Sequence, residues 1–175
     1  DHGKTTVTER MLNYSGKIRR MGNVDAGNTT MDFLPQERER GITINSAAIS
    51  FVWEKHLFNL IDTPGHVDFT FETQRSLRVL DGGVVILDAV SGVQSQTMTV
   101  WRQANHVNIR RFAFVNKMDR DGSSMERVEN SIRNRLGVKP ITIQMPIGEE
   151  KDFHGVIDLL SLKMYTWNDD DENKN

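Results

Sequence analysis

The chain is 175 residues long, 37% apolar and 26% charged, with a formal net charge of −2 and no cysteine. That is enough chain for one buried core, and it excludes a disulfide framework, a thiolate metal site and a cysteine nucleophile; no apolar run reaches the length of a transmembrane helix. Residues 168–175 hold four acids and one lysine, so the rest of the chain is near neutral and has no global electrostatic grip on nucleic acid or an anionic membrane.

In chain order, residues 4–14 read as a helix. Residues 15–41 are charged, punctuated by Gly, Asn and Asp, and have no sustained period; a loop this long in a compact domain is usually functional. Residues 44–53 and 57–61 read as two strands of an antiparallel hairpin. Val67, Phe71, Leu77 and Leu80 form a rough helical stripe over 67–80. The run 83–87 has the continuous apolar character of a buried parallel strand. A helix is predicted at about 95–106, a strand at 112–115, and a helix at about 124–136 stopped by Gly137 and Pro140. A strand follows at 141–146, and 153–167 is mixed in character. Strands alternating with helices of this length predict an α/β fold with a mostly parallel sheet, and such sheets bind ligands beyond the carboxyl ends of their strands.

Three motifs sit at those places. Asp-His-Gly-Lys-Thr-Thr (1–6) contains the Gly3-Lys4-Thr5 end of a phosphate-binding loop. Gly3 lets the backbone approach an anion, Lys4 supplies a point charge, and Thr5 supplies a hydroxyl for Mg²⁺. Asp-Thr-Pro-Gly-His (62–66) follows a strand, where a carboxylate can serve Mg²⁺ and Gly65 can offer its N–H to a terminal phosphate. Asn-Lys-Met-Asp (116–119) follows another strand. There the Asp119 carboxylate can accept both N1–H and the exocyclic amine of guanine, a pairing that adenine cannot offer. Taken singly, each has a plainer reading: a common tripeptide, a strand-ending turn, a polar strand-to-helix turn. Together, in the order phosphate, metal, base, they point to a guanine nucleotide site.

At this point the sequence resembles the GTPase domain of translational GTPases of the elongation factor G type, over essentially its whole length. Gln-Glu-Arg-Glu-Arg-Gly-Ile-Thr-Ile (36–44) is similar to that family's first switch segment and Thr-Pro-Gly-His-Val-Asp-Phe (63–69) to its second. Residues 92–97 and 100–104 also follow the elongation factor G pattern. Residues 32–38, the short hairpin over 50–56 and Asn-Leu-Ile-Asp-Thr-Pro-Gly (59–65) are similar to the mitochondrial, ribosome-recycling branch.

The resemblance implies a P-loop GTPase three-layer fold. Nucleotide contacts would come from Asp1, His2, Gly3, Lys4, Thr5 and Thr6, from Asp62, Thr63, Pro64, Gly65 and His66, and from Asn116, Lys117, Met118 and Asp119. Mg²⁺ would be held by Thr5, Thr43 and Asp62. His66 would be the catalytic residue that orients the attacking water, and Asp1 would support a monovalent cation or the phosphate loop. The charge cluster 37–40 is either a solvated loop or a contact to ribosomal RNA. Implied partners are GTP, the mitochondrial ribosome and its RNA, and a ribosome recycling factor, in the mitochondrial matrix, with no membrane partner and a monomeric full-length protein. A translocase of the same fold and a nucleotide-regulated binding module without turnover are the alternatives, and an ATP-using P-loop enzyme is remoter.

The chain starts at Asp1 rather than Met, without a visible targeting peptide. The strand feeding the phosphate loop and the family's last guanine-contacting motif are expected to lie outside these residues. Residues 1–150 then read as a partial GTP-binding domain and 151–175 as the opening of an inserted subdomain with an acidic tail. On that reading the isolated chain is expected to be unstable and to bind GTP poorly.

Overall fold

A computed structural model describes residues 2–22, 29–30, 47–63 and 70–167. They fall in two compact units, one of residues up to Gly83 with Thr99–Phe112, the other of Val84–Met98 with the chain from Ala113 onward.

The first unit begins with α1 (Lys4–Tyr14), which starts at Gly3 in the left-handed region (φ 86°, ψ 30°) and ends at Ser15. A residue with a Cβ is strained at such an angle, so glycine suits this helix start. Leu12 of α1 packs with Ala47, Ile18, Ile49 and Phe51. One turn earlier, Glu9 is only 1% exposed. Its carboxylate accepts the amides of Gly22 and Thr30 and the Thr30 hydroxyl, which supplies the hydrogen bonds a buried charge requires.

The predicted hairpin is β1 (Ala47–Trp53) and β2 (His56–Asp62), antiparallel with Ala47 opposite Asp62 and Trp53 opposite His56. Its two-residue turn holds Glu54 and Lys55 at φ 45° and 68°, the twist a tight hairpin favours, reached here without Gly or Asn. Phe51 and Phe58 stack across the strands, ring centroids 5.4 Å apart. The stretch 67–80 contains α2 (Thr70–Leu77), and Leu77 closes a small core with Leu80, Ala104 and Ile109.

β3 (Gly82–Asp88) and β4 (Arg110–Asn116) are hydrogen-bonded neighbours joined through α3 (Ser95–His106). They run parallel: Gly82 lies against Arg110, and the amide of Ala89, just past β3, donates to the Asn116 carbonyl at 2.9 Å. In the second unit Leu87, Val93, Val128 and Ile132 form the main core, with Val85, Met98, Val115 and Leu136 against it. Val128, Ile132 and Leu136 recur at the four-residue spacing that puts them on one face of α4 (Met125–Leu136). Ser124 caps its start by accepting the Arg127 amide, and left-handed Gly137, the stop that the sequence predicts, ends it with its amide donating to Arg133.

The strand expected at 141–146 is the shorter β5 (Gln144–Ile147), which starts three residues later and ends one later. The mixed stretch 153–167 resolves into β6 (Gly155–Asp158) and β7 (Lys163–Thr166), paired in an antiparallel meander with β5. A single 3₁₀ turn, Glu150–Asp152, connects β5 to β6. The sheets are thus mixed, parallel between β3 and β4 and antiparallel in the hairpin and the meander. No described helix is long and apolar enough to cross a membrane.

Leu87 is 1% exposed at the centre of the second unit's core. Leu87→Ala should therefore cost about 2–5 kcal/mol, read as a lower urea midpoint at unchanged slope. An unmoved midpoint would remove Leu87 from the core.

Candidate nucleotide site

In the first unit, His2, Gly3, Lys4, Thr5 and Thr6 lead into and begin α1. Among the described residues no side chain caps that helix start and no acid lies in its first turn, so the helix itself supplies no carboxylate to the positive end of its dipole. Lys4 is drawn inward enough that burial pushes its ammonium below the ordinary lysine value, and the charge of Asp62 pulls it partly back up. Asp62 ends β2, 4% exposed, with half-buried Thr63 next. The structure thus brings Lys4 and Asp62, 58 positions apart, within electrostatic reach. A desolvated ammonium is stabilised by further negative charge, so this end of α1 suits phosphate.

Thr5 offers a hydroxyl and Asp62 a carboxylate, both hard oxygen donors. Among the described residues no three His, Cys, Asp or Glu side chains gather into a metal cage. That donor set fits Mg²⁺, which takes one or two protein oxygens and completes its shell with water and phosphate. Asp1, Thr43, Pro64, Gly65 and His66 lie outside the described residues.

In the second unit, Asn116 ends β4 and Lys117–Asp119 follow it. Asn116 and Lys117 are half-buried, Met118 is buried and Asp119 is exposed, so the carboxylate that would read guanine faces solvent. Lys117 has a left-handed backbone, φ 66°, a conformation that costs a non-glycine residue about 1–2 kcal/mol. Its ammonium lies 2.9 Å from Asp88 Oδ2. The other oxygen of Asp88 accepts the amides of Val90 at 2.9 Å and Ser91 at 3.0 Å. Burial alone would raise the Asp88 pKa, but Lys117 and these two amides outweigh it and bring it down to about 2.

The far side of the loop is tied as well. The Met118 carbonyl accepts from the Ser123 hydroxyl at 2.6 Å and the Glu150 amide at 3.0 Å. The Glu150 carboxylate accepts the Gly122 amide at 2.7 Å. Asp88, Ser123 and Glu150 are absent from the sequence-based site. Only Asp88 carries a usable signal, an acid at the carboxyl end of an apolar strand run; Glu150 reaches Met118 and Gly122 from far along the chain, and the Ser123 hydroxyl also accepts the Glu150 amide at 3.2 Å.

The profile of the elongation factor Tu GTP binding domain matches residues 1–172. The chain is 56% identical over 168 residues to a protein called mitochondrial ribosome-releasing factor 2 from Pongo abelii, covering 96% of this chain and 22% of that protein. It is 55% identical over 170 residues to elongation factor G of Wolbachia pipientis subsp. Culex pipiens, covering 97% and 25%. A crystal structure of a Thermus thermophilus protein superposes with a TM-score of 0.88 at 31% identity, over 96% of this chain and 25% of that one. The chain thus spans about a quarter of the length of these relatives.

Because the Asp88 carboxyl titrates near 2 in the fold and at its ordinary 3.8 when unfolded, it stabilises the fold above about pH 4. That contribution is lost as pH falls through 2. Acid titration of stability should show the unaltered protein losing roughly 2 kcal/mol more than Asp88→Asn between pH 4 and 2. Parallel curves would mean that the pair carries no net stabilisation.

Proposed function

The chain belongs to the elongation factor Tu GTP-binding domain family, and on that footing we propose that the protein hydrolyses GTP to GDP and phosphate to drive disassembly of mitochondrial ribosomes after termination. Its fold is the P-loop GTPase fold expected from the sequence. The observation that carries the nucleotide reading is the solvent-facing Asp119 on a loop held from both sides, by Asp88 through Lys117 and by Glu150. What supports recycling is the identity with the Pongo abelii protein called ribosome-releasing factor 2.

In this mechanism the chain's contribution is positioning and electrostatics, as in phosphoryl transfer generally. The amides at the start of α1 and the Lys4 ammonium take up charge on the phosphates. Asp119 pairs with the guanine N1–H and exocyclic amine, Asn116 reaches the N7 side, and the Lys117 methylenes cover the base face. Thr5, Asp62 and Thr43 would hold Mg²⁺, which when bound neutralises charge across the outer phosphates. His66 orients the water, a role carried over from the family's second switch pattern. Loss of the terminal phosphate releases Thr43 and Gly65 and relaxes both switch segments, the output delivered to the ribosome.

The proposed partners are the mitochondrial ribosome, its RNA and a ribosome recycling factor, in the mitochondrial matrix. Residues 151–175 are proposed as the opening of a subdomain inserted in the GTP-binding domain. A second reading, translocation of tRNA and messenger RNA, is favoured by the comparable identity to the Wolbachia elongation factor G.

The full-length protein with mitochondrial ribosomes, recycling factor and GTP tests this directly. Expected are subunit splitting without translocation, and a loss of about 10²-fold or more in ribosome-stimulated hydrolysis in His66→Ala. Translocation without splitting selects the second reading, and undiminished hydrolysis in His66→Ala removes that residue from catalysis.

A further inference from the structure

We propose that Asp88 is a positioning residue for guanine binding that acts through Lys117, an inference that rests on the guanine reading of the 116–119 loop. Asp88 does not belong to any of the three motifs. It is the last residue of β3 and 7% exposed, a burial that carboxylates seldom reach unless paired. Its side chain uses both oxygens: Oδ2 meets the Lys117 ammonium, and Oδ1 receives the Val90 and Ser91 amides.

The mount beneath Asp88 is stiff. Its own carbonyl accepts the Gly92 amide at 2.8 Å, closing the turn. Gly92 is left-handed (φ 63°), and a Cβ there would stand 2.9 Å from the Ser131 hydroxyl oxygen. That hydroxyl in turn accepts the Val93 amide at 3.0 Å. The next residue, Ala89, is bonded on both sides, its amide to the Asn116 carbonyl and its carbonyl to the Ser124 amide at 3.2 Å. The turn after β3 is therefore fastened to the start of the base-reading segment at Asn116 and to the cap of α4 at Ser124.

Lys117 gains most from this. Its left-handed backbone is unfavourable on its own, and a free lysine side chain samples many rotamers. Holding its ammonium at a fixed carboxylate selects one direction for the four-carbon stem. The stem then stands ready as an apolar wall for the base, with its ordering completed before nucleotide arrives. An ion pair of purely structural worth would not make this coupling to nucleotide, which separates the two roles.

The test is a double-mutant cycle on GDP dissociation in the full-length protein, using Asp88→Asn, Lys117→Met and the pair. Asp88→Asn should speed dissociation about tenfold when Lys117 is present and less than about twofold when Met replaces it. Equal effects in both backgrounds, or no effect in either, overturn the role of Asp88 and leave the guanine reading intact. Failure of the unaltered protein to bind any guanine nucleotide overturns both. If Asp88→Asn does not fold, acetic anhydride labelling of the unaltered, nucleotide-free protein decides instead. Lys117 should label about tenfold more slowly than exposed Lys139, and equal rates overturn the inference.

Discussion

A carboxylate held out of water must find compensating hydrogen bonds, and the proposed base-reading end of this protein is organised by how Asp88 finds them. Two backbone amides and one lysine ammonium surround it. Breaking any of these leaves charge uncompensated in a poorly solvated place, where removal of one partner is far more disruptive than loss of an exposed pair. The turn after β3 and the segment after β4 are consequently one mechanical object. The Glu150 and Ser123 bonds to the other side of that segment extend it to the connection between β5 and β6.

The first unit uses the same device for a different loop. Glu9, buried in α1, gathers the amides of Gly22 and Thr30. A helix that begins at the proposed phosphate-binding residues thereby fixes two points of the long segment that follows it. Both anchors are acids with backbone amides as donors. Most of the groups they take up are main-chain amides, joined by one side chain each, the Lys117 ammonium at Asp88 and the Thr30 hydroxyl at Glu9. A third buried carboxylate, Asp62, acts on Lys4, and this pairing differs in leaving an ammonium whose desolvation further anionic charge would relieve.

Much of this architecture is legible in the sequence, and the reasons are local. α1 and α3 have the expected bounds, and α4 begins one residue late, because helical period and stop signals such as Gly137 act over a few residues. β3 and β4 are apolar runs long enough to stand out. The stretch 153–167 is not legible because β6 and β7 are four residues each and β7 is exposed on both faces, which erases the alternation that marks a strand. The hairpin turn at Glu54-Lys55 lacks the Gly or Asn that normally signals its geometry. Of the proposed site, Lys4 and Asp62 are picked out by their motifs, and the fold brings them within electrostatic reach. Glu150 is not legible, because its side chain meets the Gly122 amide 28 positions away, and Asp88 shows only its place at the end of an apolar run, since its pairing with Lys117 spans 29 positions.

If the base-reading segment is built by the protein rather than by its ligand, its anchors must be closed before nucleotide binds. Amide hydrogen exchange of the nucleotide-free full-length protein reads this at Val90 and Ser91, whose amides donate to Asp88. Both should exchange at least about 100-fold more slowly than an unstructured peptide, with less than about tenfold further slowing on adding GDP. Unprotected amides that become protected only with nucleotide would contradict preorganisation and make the Asp88–Lys117 anchor a product of binding.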